Sequence, residues 1–133
     1  WNLASGDFNA DGYDDAAIGA PGDFANGQGG VNIIYGSSSR LKSTNNKRIY
    51  AGTTGDSEDV AETGDRFGSA LAVGDFNGDG REDLAVGSPG HNICDGCTCR
   101  SCEDTPGSAI DYFPRYDAGA VTVFYGSTSG LNS

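Results

Sequence analysis

Methionine is absent from this 133-residue chain, and histidine and tryptophan occur once each, as His91 and Trp1. A single histidine excludes a metal centre built on several imidazoles and leaves one ordinary candidate for a catalytic base. Basic residues are also scarce, 8 against 19 acids for a formal net charge of -11. A chain so short of Lys and Arg has no basic face for a phosphate backbone, which excludes a nucleic-acid partner. No stretch approaches the about 20 consecutive apolar residues that a membrane-spanning helix requires. No initiator Met or signal segment precedes Trp1. The numbering is therefore expected to begin after a processed segment or inside a longer chain.

What is abundant is glycine, 22 residues without a collagen-like period. That composition points to short strands joined by tight turns. The chain also repeats itself. Leu3 to Gly22 aligns without a gap on Leu71 to Gly90, 68 residues further on, and Gly29 to Ser37 aligns on Gly119 to Ser127, 90 residues further on. The second copy thus carries 22 additional residues between Pro89 and Gly119. Strands are expected at Leu71–Phe76, Asp83–Gly87 and Ala120–Tyr125, with a shorter, more polar edge strand at Lys47–Ala51. Four-stranded units at this spacing suggest β-propeller blades, the alternative being two hairpins in an ordinary sandwich.

Eight of the acids lie in two loops, Asp7-Phe-Asn9-Ala-Asp11-Gly12-Tyr13-Asp14-Asp15 and Asp75-Phe-Asn77-Gly-Asp79-Gly80-Arg81-Glu82-Asp83. The pattern Asp-x-Asn-x-Asp-Gly-x-x-Asp turns alternate side chains toward one point. It predicts a calcium ion held by Asp7, Asn9, Asp11, Asp15 and the carbonyl of Tyr13, and a second held by Asp75, Asn77, Asp79, Asp83 and the carbonyl of Arg81. Calcium accepts about six to eight oxygens in flexible geometry, whereas magnesium demands a near-ideal octahedron. Transition metals are disfavoured by the absence of His and Cys from both loops. Two divalent ions would offset four of the negative charges. An EF-hand is excluded: its twelfth position requires Glu between two helices, and Ile18 and Val86 stand there in strand-like surroundings.

With these residues in view the chain resembles the FG-GAP repeat family, the repeats of integrin α-subunit propellers. Phe67-Gly68 matches the first element of that name, Gly19-Ala20-Pro21 the second, and Gly87-Ser88-Pro89 is its close variant. The resemblance covers residues 3–56 and 64–133. It implies an all-β fold of two four-stranded blades in a propeller-like architecture, with a first repeat over 1–56 and a second over 57–133 that carries the insertion at about 91–117. It also implies calcium of structural purpose, a secreted or cell-surface location, and a role in adhesion. The family's propellers have seven blades and this chain supplies about two. The expectation is therefore completion by neighbouring repeats or by other copies of the chain, as a ring or as a filament. An extracellular protein or a glycan is a further expected partner.

All four cysteines fall in the insertion, as Cys94, Cys97, Cys99 and Cys102. Two disulfides in an oxidising compartment are expected, paired Cys94–Cys102 with Cys97–Cys99 or Cys94–Cys99 with Cys97–Cys102. A zinc site is the alternative, but one intervening residue, Thr98, gives the two Cys-x-x-Cys pairs little room for a tetrahedron. No catalytic residues are expected: His91 follows Pro89-Gly90 in what reads as an exposed turn, with no nucleophile beside it. Three functional readings remain: a structural or adhesive calcium-binding module, a propeller lectin using Trp1 and the tyrosines, or the non-catalytic propeller part of a larger secreted enzyme.

Overall fold

Each acidic loop closes a hairpin in which an aspartate faces a glycine across the mouth. Strand β1 (Asn2–Gly6) pairs antiparallel with β2 (Asp15–Ala20) from Asn2 opposite Gly19 to Gly6 opposite Asp15. Sixty-eight residues later, Gly74 faces Asp83 in the same register. The computed structural model describes residues 1–23, 27–53, 61–92 and 118–132. Among these the chain is all-β. One four-stranded sheet runs β1-β2-β3-β4, with β3 at Gly30–Ile34 and β4 at Lys47–Ile49. One three-stranded sheet runs β5-β6-β7, at Ala70–Gly74, Asp83–Ser88 and Ala120–Phe124.

Both sheets are antiparallel meanders, the four- and three-stranded counterparts of the blades expected from sequence. The edge strand β4 is three residues long, two short of the expected span, because the chain turns at Tyr50, whose carbonyl accepts from the N–H of Thr53. In the second sheet no fourth strand follows β7 among the described residues; Tyr125 and Asn132 form an isolated antiparallel bridge instead.

Alternation along the strands sorts the side chains onto two faces of each sheet. Ala17, Val31, Ile33 and Ile49 share one face of the first sheet, and Leu84, Val86 and Phe124 one face of the second. The two faces form a single core with Phe8, Phe67 and Leu131. Each large apolar side chain enclosed there contributes about 1.5–3 kcal/mol.

Phe67 and Gly68 act as the rivet between the blades. Phe67 is fully buried and meets Phe124 edge-on, ring centroids 6.2 Å apart at 87°. Its N–H donates to the carbonyl of Gln28 at 2.9 Å, and Gly29 bridges to it in parallel. The approach is so close that a Cβ on Gly19 would stand 2.3 Å from the carbonyl oxygen of Gly68, which itself has φ +89°. Only glycine satisfies both demands. The Phe-Gly and Gly-Ala-Pro elements, 48 residues apart in sequence at Gly19 and Phe67, are thus two halves of one contact.

Candidate metal centres

The two acidic loops, residues 7–14 and 75–82, fold around their own carboxylates. Asp7 accepts from the N–H of Asp11 at 3.0 Å through Oδ1 and from that of Gly12 at 2.8 Å through Oδ2. Asp75 repeats this with Asp79 at 3.0 Å and Gly80 at 2.8 Å. Oδ1 of Asn9 and of Asn77 also accepts from the N–H of Asp11 and Asp79, each at 2.9 Å. Asp11 then accepts from the N–H of Tyr13 at 3.1 Å, and Asp79 from that of Arg81 at 2.9 Å. The donors at positions one, three and five are thereby gathered on one short turn, with Gly12 and Gly80 in the left-handed region at φ +85° and +84°.

The ninth-position aspartates sit differently. Asp15 and Asp83 are buried, and both oxygens of each are engaged. Asp15 accepts from the N–H of Phe8 at 3.0 Å and of Gly36 at 2.8 Å. Asp83 does the same with Phe76 at 2.9 Å and Gly126 at 2.8 Å. They tie the start of each loop to the chain leaving the third strand. Since Gly36 and Gly126 are 90 residues apart and the aspartates 68, this tie spans the insertion. It explains why both offsets are kept.

Electrostatics shows how the acids bear on one another. Burial pushes the Asp15 carboxyl above the usual carboxylate range, and the charges of Asp11 and Asp7 add to the rise against the two N–H donors. Asp11 is held below that range first by the hydrogen bond from Lys42, whose Nζ lies 3.0 Å away. Asp79 is held low first by the N–H of Arg81, whose guanidinium also stands 3.2 Å from its Oδ2. Each fifth-position aspartate therefore carries a protein cation.

Among the described residues no three His, Cys, Asp or Glu side chains converge as a ready-formed metal cluster. The carboxylates are turned onto the loop's own N–H groups, each oxygen keeping further lone-pair capacity. The donor set still fits a hard cation: it is all oxygen, and the charges of Asp11 and Asp7 bear on Asp15 across the first loop. Asp7, Asn9 and Asp11 share one turn and Asp75, Asn77 and Asp79 its repeat, joined by hydrogen bonds within each loop, while Asp15 and Asp83 are turned to the backbone of the sheet. The carbonyls of Tyr13 and Arg81 stand on the same turns. Cys94, Cys97, Cys99 and Cys102 lie outside the described residues, as does most of the insertion.

The sequence reading of His91 as an exposed turn residue is corrected. Its side chain is only 13% exposed, and Nδ1 lies 3.5 Å from Oδ1 of the fully buried Asp65. Gly90 brings it there: its N–H donates to the carbonyl of Asp65 at 3.1 Å, and a Cβ would strike the carbonyl of Gly64 at 2.0 Å. Asp65 accepts through Oδ2 from the N–H of Glu62 at 2.6 Å, while Oδ1 has no hydrogen-bond partner among the described residues. Burial raises the Asp65 carboxyl; the Glu62 N–H and then the charge of His91 oppose this only in part. At the 68-residue offset His91 aligns with Asp23 and Asp65 with no residue of this sequence, so the repeat gave no signal for the pair. Lys42 and Glu82 were likewise invisible as partners, being 31 and 75 residues from the groups they touch.

Comparison with known proteins agrees with this architecture. The family model of the FG-GAP repeat matches residues 1–35 and 67–124. The chain is 43% identical over 136 residues to the phosphatidylinositol-glycan-specific phospholipase D of Rattus norvegicus, covering 98% of this chain and 13% of that protein. For the Mus musculus protein of the same name the identity is 45% over 133 residues, again 98% of this chain and 13% of that one. Integrin alpha pat-2 of Caenorhabditis briggsae is 40% identical over 86 residues, 64% of this chain and 7% of the integrin. The chain therefore spans about an eighth of the phospholipase D relatives' length.

Proposed function

The chain belongs to the FG-GAP repeat family, and from that membership we propose that it is a calcium-braced structural module of an extracellular propeller, completed by neighbouring blades. The observation that carries this reading is the duplicate loop. Two turns 68 residues apart hold the same oxygens on the same N–H groups, and the acids of the first raise the carboxyl of Asp15. Asp7, Asn9, Asp11 and Asp15, with the Tyr13 carbonyl, would hold one ion; Asp75, Asn77, Asp79 and Asp83, with the Arg81 carbonyl, the other. Calcium, when bound, supplies the positive charge that offsets this repulsion. The residues themselves do the rest: Asp15 and Asp83 fasten each loop to its sheet, so that fixing a loop fixes a blade.

The occupant of the open faces follows from the repeat. Trp1 and Leu3 are exposed on one side of the pair, Phe76 and Val121 on the other. The repeat partners of Leu3, Phe76 and Val121, namely Leu71, Phe8 and Val31, are wholly or partly covered. A further blade of the same kind fits each side, supplied by the same chain or by another copy, as the exposed edges of a repeat array require. A cell-surface or secreted, adhesive setting suits such a module.

A second reading, the non-catalytic propeller part of a larger secreted enzyme, is favoured by the alignment of 98% of the chain with a phospholipase D but 64% with an integrin. The first experiment is sedimentation velocity and thermal melting with calcium and with excess EGTA. A rise in melting temperature with calcium supports the braced module. A melting curve indifferent to EGTA overturns it.

A further inference from the structure

Glu82 crosses between the two blades. It belongs to the second loop, directly before Asp83, yet its Oε2 accepts from the backbone N–H of Asp7, the first residue of the first loop, at 2.5 Å. The carboxylate lies so close that a Cβ on Gly6 would stand 2.8 Å from it. Its backbone is equally constrained, since a Cβ on Gly126 would meet the Glu82 carbonyl at 2.4 Å. Gly126 in turn donates to Asp83 at 2.8 Å, and Ser127 donates to the carbonyl of Phe8 at 3.3 Å. The start of the first loop is therefore gripped twice by residues whose own positions depend on the second loop.

We infer that Glu82 is a positioning residue that couples the two calcium loops, so that order in the second favours cation binding in the first. The inference rests on the calcium reading above. The mechanism is local. Glu82 lies between Arg81 and Asp83, the seventh and ninth positions of its loop, and ordering that loop fixes where its carboxylate points. The carboxylate fixes the peptide of Asp7, whose side chain is the first donor of the other loop. It also sets one more negative charge beside that loop, which repels its acids when no cation is present and attracts a cation. Asp14 holds the same repeat position in the first loop with a side chain one methylene shorter, and both residues are exposed. On this inference such a strut points from each blade to the loop of the one before it.

Terbium, a luminescent stand-in for calcium, reports on the first loop through the part of the tyrosine-sensitised emission that Tyr13→Phe removes, since Tyr125 stands beside the second loop next to Gly126. The full chain is titrated with terbium as wild type, Asp79→Ala, Glu82→Ala and the double variant, exciting tyrosine. The expected result is that Asp79→Ala weakens the first loop at least about fivefold, that Glu82→Ala does the same, and that the double variant is no weaker than either. Glu82→Gln, which keeps an acceptor, should retain part of the coupling. A readout without metal accompanies this: in EGTA the Asp7 amide resonance should move in Glu82→Ala. Tight terbium binding in which Asp79→Ala leaves the first loop unchanged, or in which the two substitutions act additively, overturns the coupling while the calcium reading stands. No sensitised emission and no calcium-dependent melting in the wild type overturns both.

Discussion

Val31 and Val121 hold the same place in the two repeats, yet Val31 is fully buried and Val121 is 71% exposed. The difference is one of neighbours: the second blade covers the face that carries Val31, and among the described residues nothing covers the face that carries Val121. Phe8 and Phe76 repeat the relation, fully buried against 52% exposed. Leu3, at 73% exposed, shows the reverse on the opposite side, where its counterpart Leu71 is packed against the core.

Substitution at the two valines should therefore diverge. Val31→Asp places an unpaired charge in the core and is expected to unfold the pair or cost several kcal/mol in urea denaturation. Val121→Asp should change the isolated chain's stability by no more than about 0.5 kcal/mol. It should instead abolish whatever higher assembly sedimentation velocity detects in the unaltered chain.

The ninth-position and fifth-position aspartates should separate in EGTA. Asp83→Ala leaves the N–H groups of Phe76 and Gly126 without acceptors, a loss of about 3 kcal/mol. Asp79→Ala, on an exposed turn, should leave the EGTA melting curve nearly unchanged. In calcium both variants should lose the stabilisation tied to the second loop. Equal losses for the two in EGTA would contradict this division of roles.

Lys42 pairs with Asp11 at 3.0 Å and, on the calcium reading, would compete with a cation for it. Lys42→Ala should tighten binding at the first loop by about two- to fivefold, the scale of one exposed ion pair. Isothermal titration with calcium measures it. Weaker binding in the variant would show that Lys42 positions Asp11 rather than competing for it.

Asp65 sets a pH dependence of the opposite sense to that of a salt-bridged carboxylate. Its folded pKa is raised by burial. Its contribution to stability is therefore complete below the ordinary carboxylate pKa and is lost as pH rises through the folded value. Asp65→Asn should remove that slope, so that wild type falls relative to the variant between the two values. His91→Ala, which removes a charge that favours the carboxylate, should raise the Asp65 pKa further, read from its carboxyl carbon resonance. A fall in that pKa would contradict the assignment.

Much of this protein was legible in one dimension. The loops, their glycines and the hairpins that they close, β1 with β2 and β5 with β6, are set by contacts within about twenty residues, so a local pattern suffices to specify them. The two offsets of 68 and 90 already implied that the insertion leaves the blade intact, and the ties from Asp15 to Gly36 and from Asp83 to Gly126 show how. The pairing of Phe67 with the Gly-Ala-Pro element was visible as two motifs but not as one contact. The reason is that a glycine's value there lies in the backbone pressed against it.

By itself, then, the sequence determined the hairpins and the grouping of oxygens in each loop, because both depend on residues close along the chain. Only the tertiary structure decided which face of each blade is buried, since the two copies carry the same pattern and differ solely in what packs against them. It also decided the partners of His91 and Glu82. A buried carboxylate or a backbone N–H across a blade interface leaves no trace in spacing, and becomes a partner only when the blades stack.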